Sequence, residues 1–209
     1  TALLLVGYWL LLLCIPVPGF GTGDFAEGQN LTNYLDSIWL PGRKWDGNHD
    51  PEGILSTLPA IGTAVLGLLA GRWLSRDITP QRKVGGLLLV GVALVVAGWA
   101  WHPLFPVIKK IWTSSFVLVT AGWSGILLAG FYWVIDVRGI RRWAEPFEWV
   151  GANPITLYLA AGMGAFRTVN QRLVGTLSPE WAWVGSLTLF SLMLLTARWL
   201  YRRGIFLRF

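Results

Sequence analysis

The feature that most constrains this chain is a series of apolar runs long enough to cross a lipid bilayer. A transmembrane helix needs about 20 predominantly apolar residues. About six such runs occur, and the first is shortened by the start of the chain. Only 13% of the residues are charged, about half the share in an average soluble domain, which argues against a soluble enzyme and excludes a disordered chain or a coiled coil. The sequence predicts one all-α membrane domain, a polytopic transmembrane helical bundle over residues 1–209, with spans at residues 1–15, 54–73, 84–101, 113–135, 147–166 and 181–201.

Several of these runs follow a helix-start signal in which a residue that can cap a helix stands next to a proline. The signals are Asp50-Pro51, Thr79-Pro80, Glu145-Pro146 and Ser178-Pro179-Glu180. Proline is favoured at the first helical position, and Asp, Ser and Thr are favoured caps. One interpretation is therefore that Asp50 caps a helix and that Glu52 lies in its first turn, where the helix dipole favours acidic residues.

The basic residues predict how the bundle lies in the membrane. With six spans, 11 of the 17 Lys and Arg residues fall in the connections on one side and six on the other, whereas the acidic residues divide four to seven. One face therefore carries a net charge of +7 and the other −1. Connections rich in Lys and Arg stay in the cytoplasm, so we expect the loop 16–53 to be extracytoplasmic. The basic excess indicates topology, and we expect no nucleic-acid partner.

The loop 16–53 holds the first group of candidate site residues. Long loops on a rigid scaffold often carry function, and His49, Asp50 and Glu52 lie at its end. The two carboxylates are candidate catalytic residues that bind or deprotonate a cationic group, and His49 is a candidate substrate-binding residue. A carboxylate–histidine metal site with Asp46 is a minor alternative. Neither of the two histidines has a partner at the spacing typical of metal ligands, so we expect no metal.

Two further groups of polar residues lie next to apolar runs. Lys109 and Trp112 are candidates for substrate binding, although lysine and tryptophan also occur at membrane interfaces for structural reasons. Asn153 lies inside the fifth run, where a polar side chain either faces a site or caps a local helix break. The spacing of Gly67 and Gly71 is more typical of close helix packing than of chemistry.

A set of short motifs follows a fixed order along nearly the whole chain. They are Pro16-Val17-Pro18-Gly19, Asp50-Pro51-Glu52-Gly53-Ile54-Leu55-Ser56-Thr57, Gly67 to Gly71, Pro106-Val107 with Lys109 and Trp112, Asp136-Val137 before Gly139, Gly151 with Asn153, and Tyr201-Arg202-Arg203 before Ile205-Phe206. Together, their order and spacing resemble those of the heparan-alpha-glucosaminide N-acetyltransferase family and its bacterial relatives.

The resemblance implies a membrane acyltransferase that moves an acetyl group from cytosolic acetyl-CoA to a glucosamine-type amino sugar on the other side of the membrane. The family's acetyl-transfer histidine lies in an N-terminal half, and neither His49 nor His102 matches it. We therefore expect this chain to be the C-terminal part of a larger enzyme, to be inactive alone and to need the missing N-terminal transmembrane half as a partner. Asp50 and Glu52 match the family's acidic pair, which we expect near the acceptor.

The remaining expectations concern the donor, the setting and the alternatives. Arg138, Arg141 and Arg142 can bind the phosphates of coenzyme A, although they also serve as topology signals, and Trp45 or Trp112 can stack on the sugar. We expect an integral protein of the bacterial inner membrane that contacts lipid, and a homodimer remains an open alternative. The competing functions are a transporter or exporter of a sugar or ion, and a noncatalytic scaffold.

Overall fold

The computed structural model describes residues 1–175 and 181–206, and within these ranges the chain is helical, with no strand beyond isolated bridges. A π-helical turn, Trp133–Val137, extends the helix that ends at Tyr132, and a short 3-10 turn, Arg142–Ala144, precedes the helix that begins at Glu145. The helices are α1 (Ala2–Cys14), α2 (Leu31–Trp39), α3 (Thr57–Leu74), α4 (Pro80–Trp101), α5 (Ser114–Tyr132), α6 (Glu145–Gly151), α7 (Pro154–Gly162), α8 (Ala165–Val174) and α9 (Ala182–Arg202).

Four helices of the described residues are long and apolar enough to cross a membrane, namely α3, α4, α5 with its π-helical extension, and α9. This finding confirms the all-α class and is consistent with an integral membrane protein. The helix α1 is apolar but only 13 residues long, so the expected number of about six spans is not confirmed.

The span predicted over residues 147–166 is not confirmed as one continuous helix. That stretch is divided into α6 and α7, with a break at Asn153, and α7 ends before Gly164. The break has a local cause, because Pro154 has no N–H to donate and disfavours helical backbone in the residue before it. Gly164 has a φ of 75°, which a helix cannot accommodate. The start signal at Ser178-Pro179-Glu180 and the basic residue Arg208 lie outside the described residues.

The chain divides into two compact units, Thr1–Val137 and Arg138–Phe209. In the first unit α4 packs along α5, while α1 and α3 also contact α5. Its core lies where α1 and α2 meet the α4–α5 connection, and it contains Tyr8, Leu12, Val17, Leu31, Phe105 and Ile111. In the second unit α6 and α8 pack on α9, around a small core of Leu157, Phe166 and Ala197.

Glycines allow α4 and α5 to approach closely, although they are not the glycines that the sequence suggested. A Cβ atom on Gly122 would lie 2.6 Å from the carbonyl oxygen of Gly91, and one on Gly98 would lie 2.9 Å from the carbonyl oxygen of Ser115. By contrast, a Cβ atom on Gly67 or Gly71 would meet nothing within 4 Å of the described chain. The expectation of close packing at that pair is therefore wrong. Instead, Gly67 lines a groove of about 890 Å³ between α3, α4 and α5.

The start signals have mixed outcomes. Thr79 and Pro80 stand at the N-cap and first position of α4, as predicted. Asp50 does not cap α3, because that helix begins at Thr57 with Ser56 as its N-cap residue. The Ser56 and Thr57 hydroxyls both donate to the carbonyl oxygen of Gly53, so residues 50–56 form a hydrogen-bonded turn before the helix.

Candidate functional site

The candidate site is built where the loop 16–53 meets the connection between α4 and α5. The loop contains α2, whose N-cap residue Asn30 accepts a hydrogen bond from the backbone N–H of Asn33. The buried hydroxyl of Tyr8 in α1 is 3.1 Å from that of Thr32 in α2, and it also donates to the carbonyl oxygen of Ile111. This buried polar junction holds the loop against the α4–α5 connection.

Four charged or titratable side chains meet on this junction, and we call Glu27, Asp46, His49 and Lys110 the loop cluster. The Lys110 ammonium hydrogen-bonds to Glu27 Oε1 and lies 3.1 Å from Asp46 Oδ2. His49 Nε2 lies 3.5 Å from Glu27 Oε1 and 4.0 Å from Asp46 Oδ2. Ligand atoms of Glu27, Asp46 and His49 lie within 4.8 Å of one another, so these three residues could hold a metal ion.

The ion pairs of the loop cluster shift the pKa values of their members in opposite directions. The hydrogen bond from Lys110 lowers the pKa of the Glu27 carboxyl, and nearby His49 lowers it further. In return, Glu27 and Asp46 raise the pKa of the Lys110 ammonium. Both partners are therefore charged at neutral pH. His49 itself is buried, and its Nδ1 lies 2.7 Å from the side-chain oxygen of Asn48.

The two candidate catalytic carboxylates have different surroundings. The Asp50 carboxylate accepts hydrogen bonds from the backbone N–H groups of Trp45, at 2.9 Å, and Glu52, at 3.0 Å. These backbone bonds lower the pKa of Asp50. Glu52 is exposed, and within the described chain its carboxylate has neither a hydrogen bond nor an ion pair. Asp50 therefore stabilises the turn through its two backbone hydrogen bonds, whereas the Glu52 carboxylate is free to contact a ligand.

A buried acid that the sequence analysis did not single out lies beneath this turn. Asp36 in α2 is fully buried, and its Oδ1 accepts a hydrogen bond from the backbone N–H of Ile54 at 2.9 Å. Its other carboxylate oxygen lies so near Gly53 that a Cβ atom there would be 2.0 Å away. The pair Asp36–Gly53 thus fixes the turn that carries Asp50 and Glu52.

The predicted substrate-binding residues of the α4–α5 connection are not equivalent. The Trp112 indole N–H donates to the Thr63 hydroxyl at 3.1 Å, and its ring packs edge-on against Phe116 with 5.3 Å between centroids. Trp112 also has a φ of 52°, which is uncommon for a residue other than glycine. Lys109 is exposed, and its neighbour Lys110 is the lysine that joins the loop cluster.

The other predicted site residues belong to the second unit. Asn153 is fully buried at the N-terminus of α7, and its side-chain amide donates to the carbonyl oxygen of Ile205 at 2.8 Å. Asn153 stands at the N-cap position of α7, but its side chain makes no capping hydrogen bond, and its role toward a substrate stays a prediction. Arg138, Arg141 and Arg142 are exposed residues of the segment between the π-helical turn and α6, and their role toward coenzyme A stays a prediction.

Comparison with known proteins shows where this sequence has relatives. No family model matches the chain. It is 30% identical over 192 residues to the heparan-alpha-glucosaminide N-acetyltransferase of Homo sapiens, an alignment that covers 75% of this chain and 28% of the relative. The Mus musculus protein of the same name is 27% identical over 191 residues, covering 76% of this chain and 29% of the relative. The chain therefore spans less than a third of the length of these relatives.

Proposed function

We propose that this chain, a distant relative of the heparan-alpha-glucosaminide N-acetyltransferases, forms the acceptor-binding part of a membrane N-acetyltransferase. The observation that carries the proposal is the similarity to two proteins of that name along three quarters of the chain. The reaction would move an acetyl group from acetyl-CoA on the cytoplasmic side to the amine of a glucosamine-type sugar on the other side.

The acceptor amine sets the chemical requirement for this site. A protonated amine has no lone pair, so it must lose a proton before its nitrogen can attack the acetyl carbonyl carbon. The nitrogen then forms a C–N bond to the acetyl carbon while the bond from that carbon to the group that carries it breaks. Coenzyme A, which gives up the acetyl group on the cytoplasmic side, is released as the thiol. Glu52 suits the role of general base, because it is exposed and has no protein partner within the described residues.

We assign Asp50 a positioning role in this mechanism. Both of its carboxylate oxygens accept backbone hydrogen bonds, one of them from the N–H of Glu52. Trp45 is 86% exposed and lines the same surface recess as Asp50, so its ring face is open to a sugar. Arg138, Arg141 and Arg142 remain the proposed ligands of the coenzyme A phosphates, since guanidinium groups pair well with phosphate.

The test uses the full-length protein in sealed vesicles of one orientation, with acetyl-CoA inside and glucosamine outside. We expect acetylated sugar from the wild type, and Glu52→Gln should lower kcat by about 100-fold or more because a general base is lost. Asp50→Asn should act more on KM, since Asn offers one acceptor oxygen where the turn uses two. Asp24→Asn is the matched control, because among the described residues the Asp24 side chain bonds only to the nearby backbone N–H of Ala26.

The possible outcomes separate the alternatives. An unchanged kcat in Glu52→Gln would remove the proposed base but keep the acetyltransferase. Movement of labelled sugar across the membrane without an acetylated product would favour the transporter. Neither product nor transport, with any amino sugar tested, would favour the noncatalytic scaffold.

A further inference from the structure

We propose that Glu27, Asp46 and His49 form a binding site for a divalent transition-metal ion such as Zn²⁺, and that the Lys110 ammonium holds the cation position when no metal is bound. The sequence analysis expects no metal, and this proposal departs from that expectation. The proposal is independent of acetyl transfer, because it concerns which cation binds to the loop cluster and not how the amino sugar reacts.

The first argument is the ligand set and its spacing. One nitrogen and two carboxylate oxygens lie within 4.8 Å of one another, a separation that small side-chain movements can close onto a single ion. Imidazole and carboxylate are both common zinc ligands, and three protein ligands with an open fourth position are typical of zinc sites that keep a bound water. Because the Glu27 side chain is half-exposed, solvent water can reach the fourth position from that side.

The second argument is the orientation of His49. Its Nδ1 lies 2.7 Å from the side-chain oxygen of Asn48, and because an amide oxygen only accepts, this contact is a hydrogen bond in the tautomer that carries the hydrogen on Nδ1. The His49 side chain is 7% exposed, and its Nε2 is buried without a hydrogen-bond partner in the described structure. In that tautomer the Nε2 lone pair faces the carboxylate oxygens of Glu27 and Asp46, which can only accept hydrogen bonds. A cation bound between Nε2 and the two carboxylates satisfies all three groups. In metal sites the ligating histidine usually donates its other ring N–H to a second-shell acceptor, and Asn48 occupies that place here.

The third argument is the position of Lys110. Its ammonium contacts Glu27 Oε1 and Asp46 Oδ2, the same two oxygen atoms that face His49 Nε2. The structure therefore already places a positive charge where the metal would bind. Lys110 is 46% exposed, so its side chain can move into solvent. A divalent ion then balances the two carboxylates fully, whereas one ammonium leaves one negative charge uncompensated.

The experiment measures Zn²⁺ binding to the full-length protein, purified in detergent and stripped of metal, by competition with a chromophoric chelator. We expect one Zn²⁺ per chain at this site. Glu27→Gln, Asp46→Asn and His49→Gln should each weaken binding by more than about tenfold, and Asn48→Ala by roughly tenfold through the second shell. Thermal unfolding without metal checks that each variant is folded.

Two lysine variants give the sharper test. Lys110→Met should tighten Zn²⁺ binding by roughly threefold to tenfold, because the metal no longer displaces two weak ion pairs. Lys109→Met removes the same charge from the adjacent residue, whose ammonium makes no ion pair in the described chain, and should leave the affinity within about twofold. Co²⁺ in place of Zn²⁺ should give a visible absorption band that changes in His49→Gln.

The proposal is overturned if neither the wild type nor Lys110→Met binds more Zn²⁺ than His49→Gln does. In that case the four residues serve only to join two loops. It is also overturned if Lys110→Met and Lys109→Met change the affinity equally, because general surface charge would then explain the effect. Acetyl transfer enters none of these measurements, so the two proposals fail separately.

Discussion

At the scale of single residues, the turn before α3 shows how a few polar contacts present a carboxylate to solvent. The Asp50 side chain binds two backbone N–H groups, and the buried Asp36 binds a third, that of Ile54. Gly53 is required between them, since any side chain there would collide with Asp36. The turn thereby satisfies its own backbone donors and leaves the neighbouring Glu52 without a structural task.

The Glu27–Lys110 ion pair should make part of the stability depend on acid pH. The pKa of Glu27 is lowered from its ordinary value of 4.5 in the folded protein. Its contribution is therefore complete above that ordinary value and is lost as the pH falls through the lowered pKa. The pKa of Lys110 is raised, so its own contribution is lost only at alkaline pH, beyond its ordinary value of 10.5.

We therefore expect the wild type to unfold at a higher temperature than Glu27→Gln at pH 6, and the difference to shrink as the pH falls below 4.5. The measurement is thermal unfolding of both proteins in detergent with a metal chelator present, in steps from pH 6 to pH 3. Asp24→Asn, in the same loop, serves as a control for the loss of one negative charge outside the ion pair. A difference that stays constant across this range would mean that the ion pair does not contribute to stability.

Some of this site could be predicted from the sequence, and the rest depends on contacts between distant residues. His49, Asp50 and Glu52 are neighbours in the chain, so their cluster of acidic and basic groups is visible in the sequence. Glu27 and Lys110 are separated by 83 positions, and no local pattern indicates that they meet. The choice of Lys110 over Lys109 depends on how the α4–α5 connection turns at Trp112, with its positive φ, which a sequence pattern does not specify.

At the scale of helices, the closest packing in the first unit depends on backbone meeting backbone. Gly122 in α5 faces the carbonyl oxygen of Gly91 and the backbone N–H of Val95 in α4. Small residues at such contacts let membrane helices approach closely and gain van der Waals contact. We expect Gly122→Ala to destabilise the first unit by about 1–3 kcal/mol, because backbone atoms cannot move aside as a flexible side chain can.

The matched control for this prediction is Gly130→Ala in the same helix. A Cβ atom at Gly130 would meet nothing within 4 Å, and alanine is the better helix former by roughly 1 kcal/mol, so this variant should be neutral or slightly stabilised. Unfolding of both variants in detergent, followed by circular dichroism, distinguishes them. Equal stabilities would show that α4 and α5 can separate without loss.

The four long helices α3, α4, α5 and α9 were predictable, because each is an apolar run of about the length that crosses a membrane. The shorter helices of the described chain were not. The start of α4 at Thr79-Pro80 and its end before Pro103 follow from local chemistry that proline fixes. The start of α3 could not be predicted in the same way. Asp50-Pro51 is a favourable helix-start sequence, but the backbone N–H of Ile54 bonds to the distant Asp36, and residues 50–56 form a turn instead of the first turn of α3. A tertiary contact of this kind overrides a local preference.

At the scale of the whole chain, the first unit fixes which connections share a side of the membrane. The loop cluster joins the loop before α3 to the connection after α4, and consecutive spans cross in opposite directions. Both connections must therefore lie on one side, and the α3–α4 connection on the other. The contacts alone do not say which side faces the cytoplasm. The orientation stays a prediction from the excess of Lys and Arg, since connections rich in these residues tend to stay in the cytoplasm.

Labelling of single cysteines should therefore give a definite pattern in intact cells. With Cys14, the single cysteine of the chain, replaced by serine, a membrane-impermeant maleimide should label Trp45→Cys and Lys109→Cys from outside. Asp77→Cys, in the α3–α4 connection, should be labelled only after the membrane is permeabilised. All three positions are exposed, so differences in labelling report sidedness and not burial.

The fully reversed labelling pattern would overturn the orientation inferred from charge but keep the fold. Labelling of Trp45→Cys and Lys109→Cys from opposite sides would contradict the loop cluster itself, because one ion-pair network cannot lie on both faces of a bilayer.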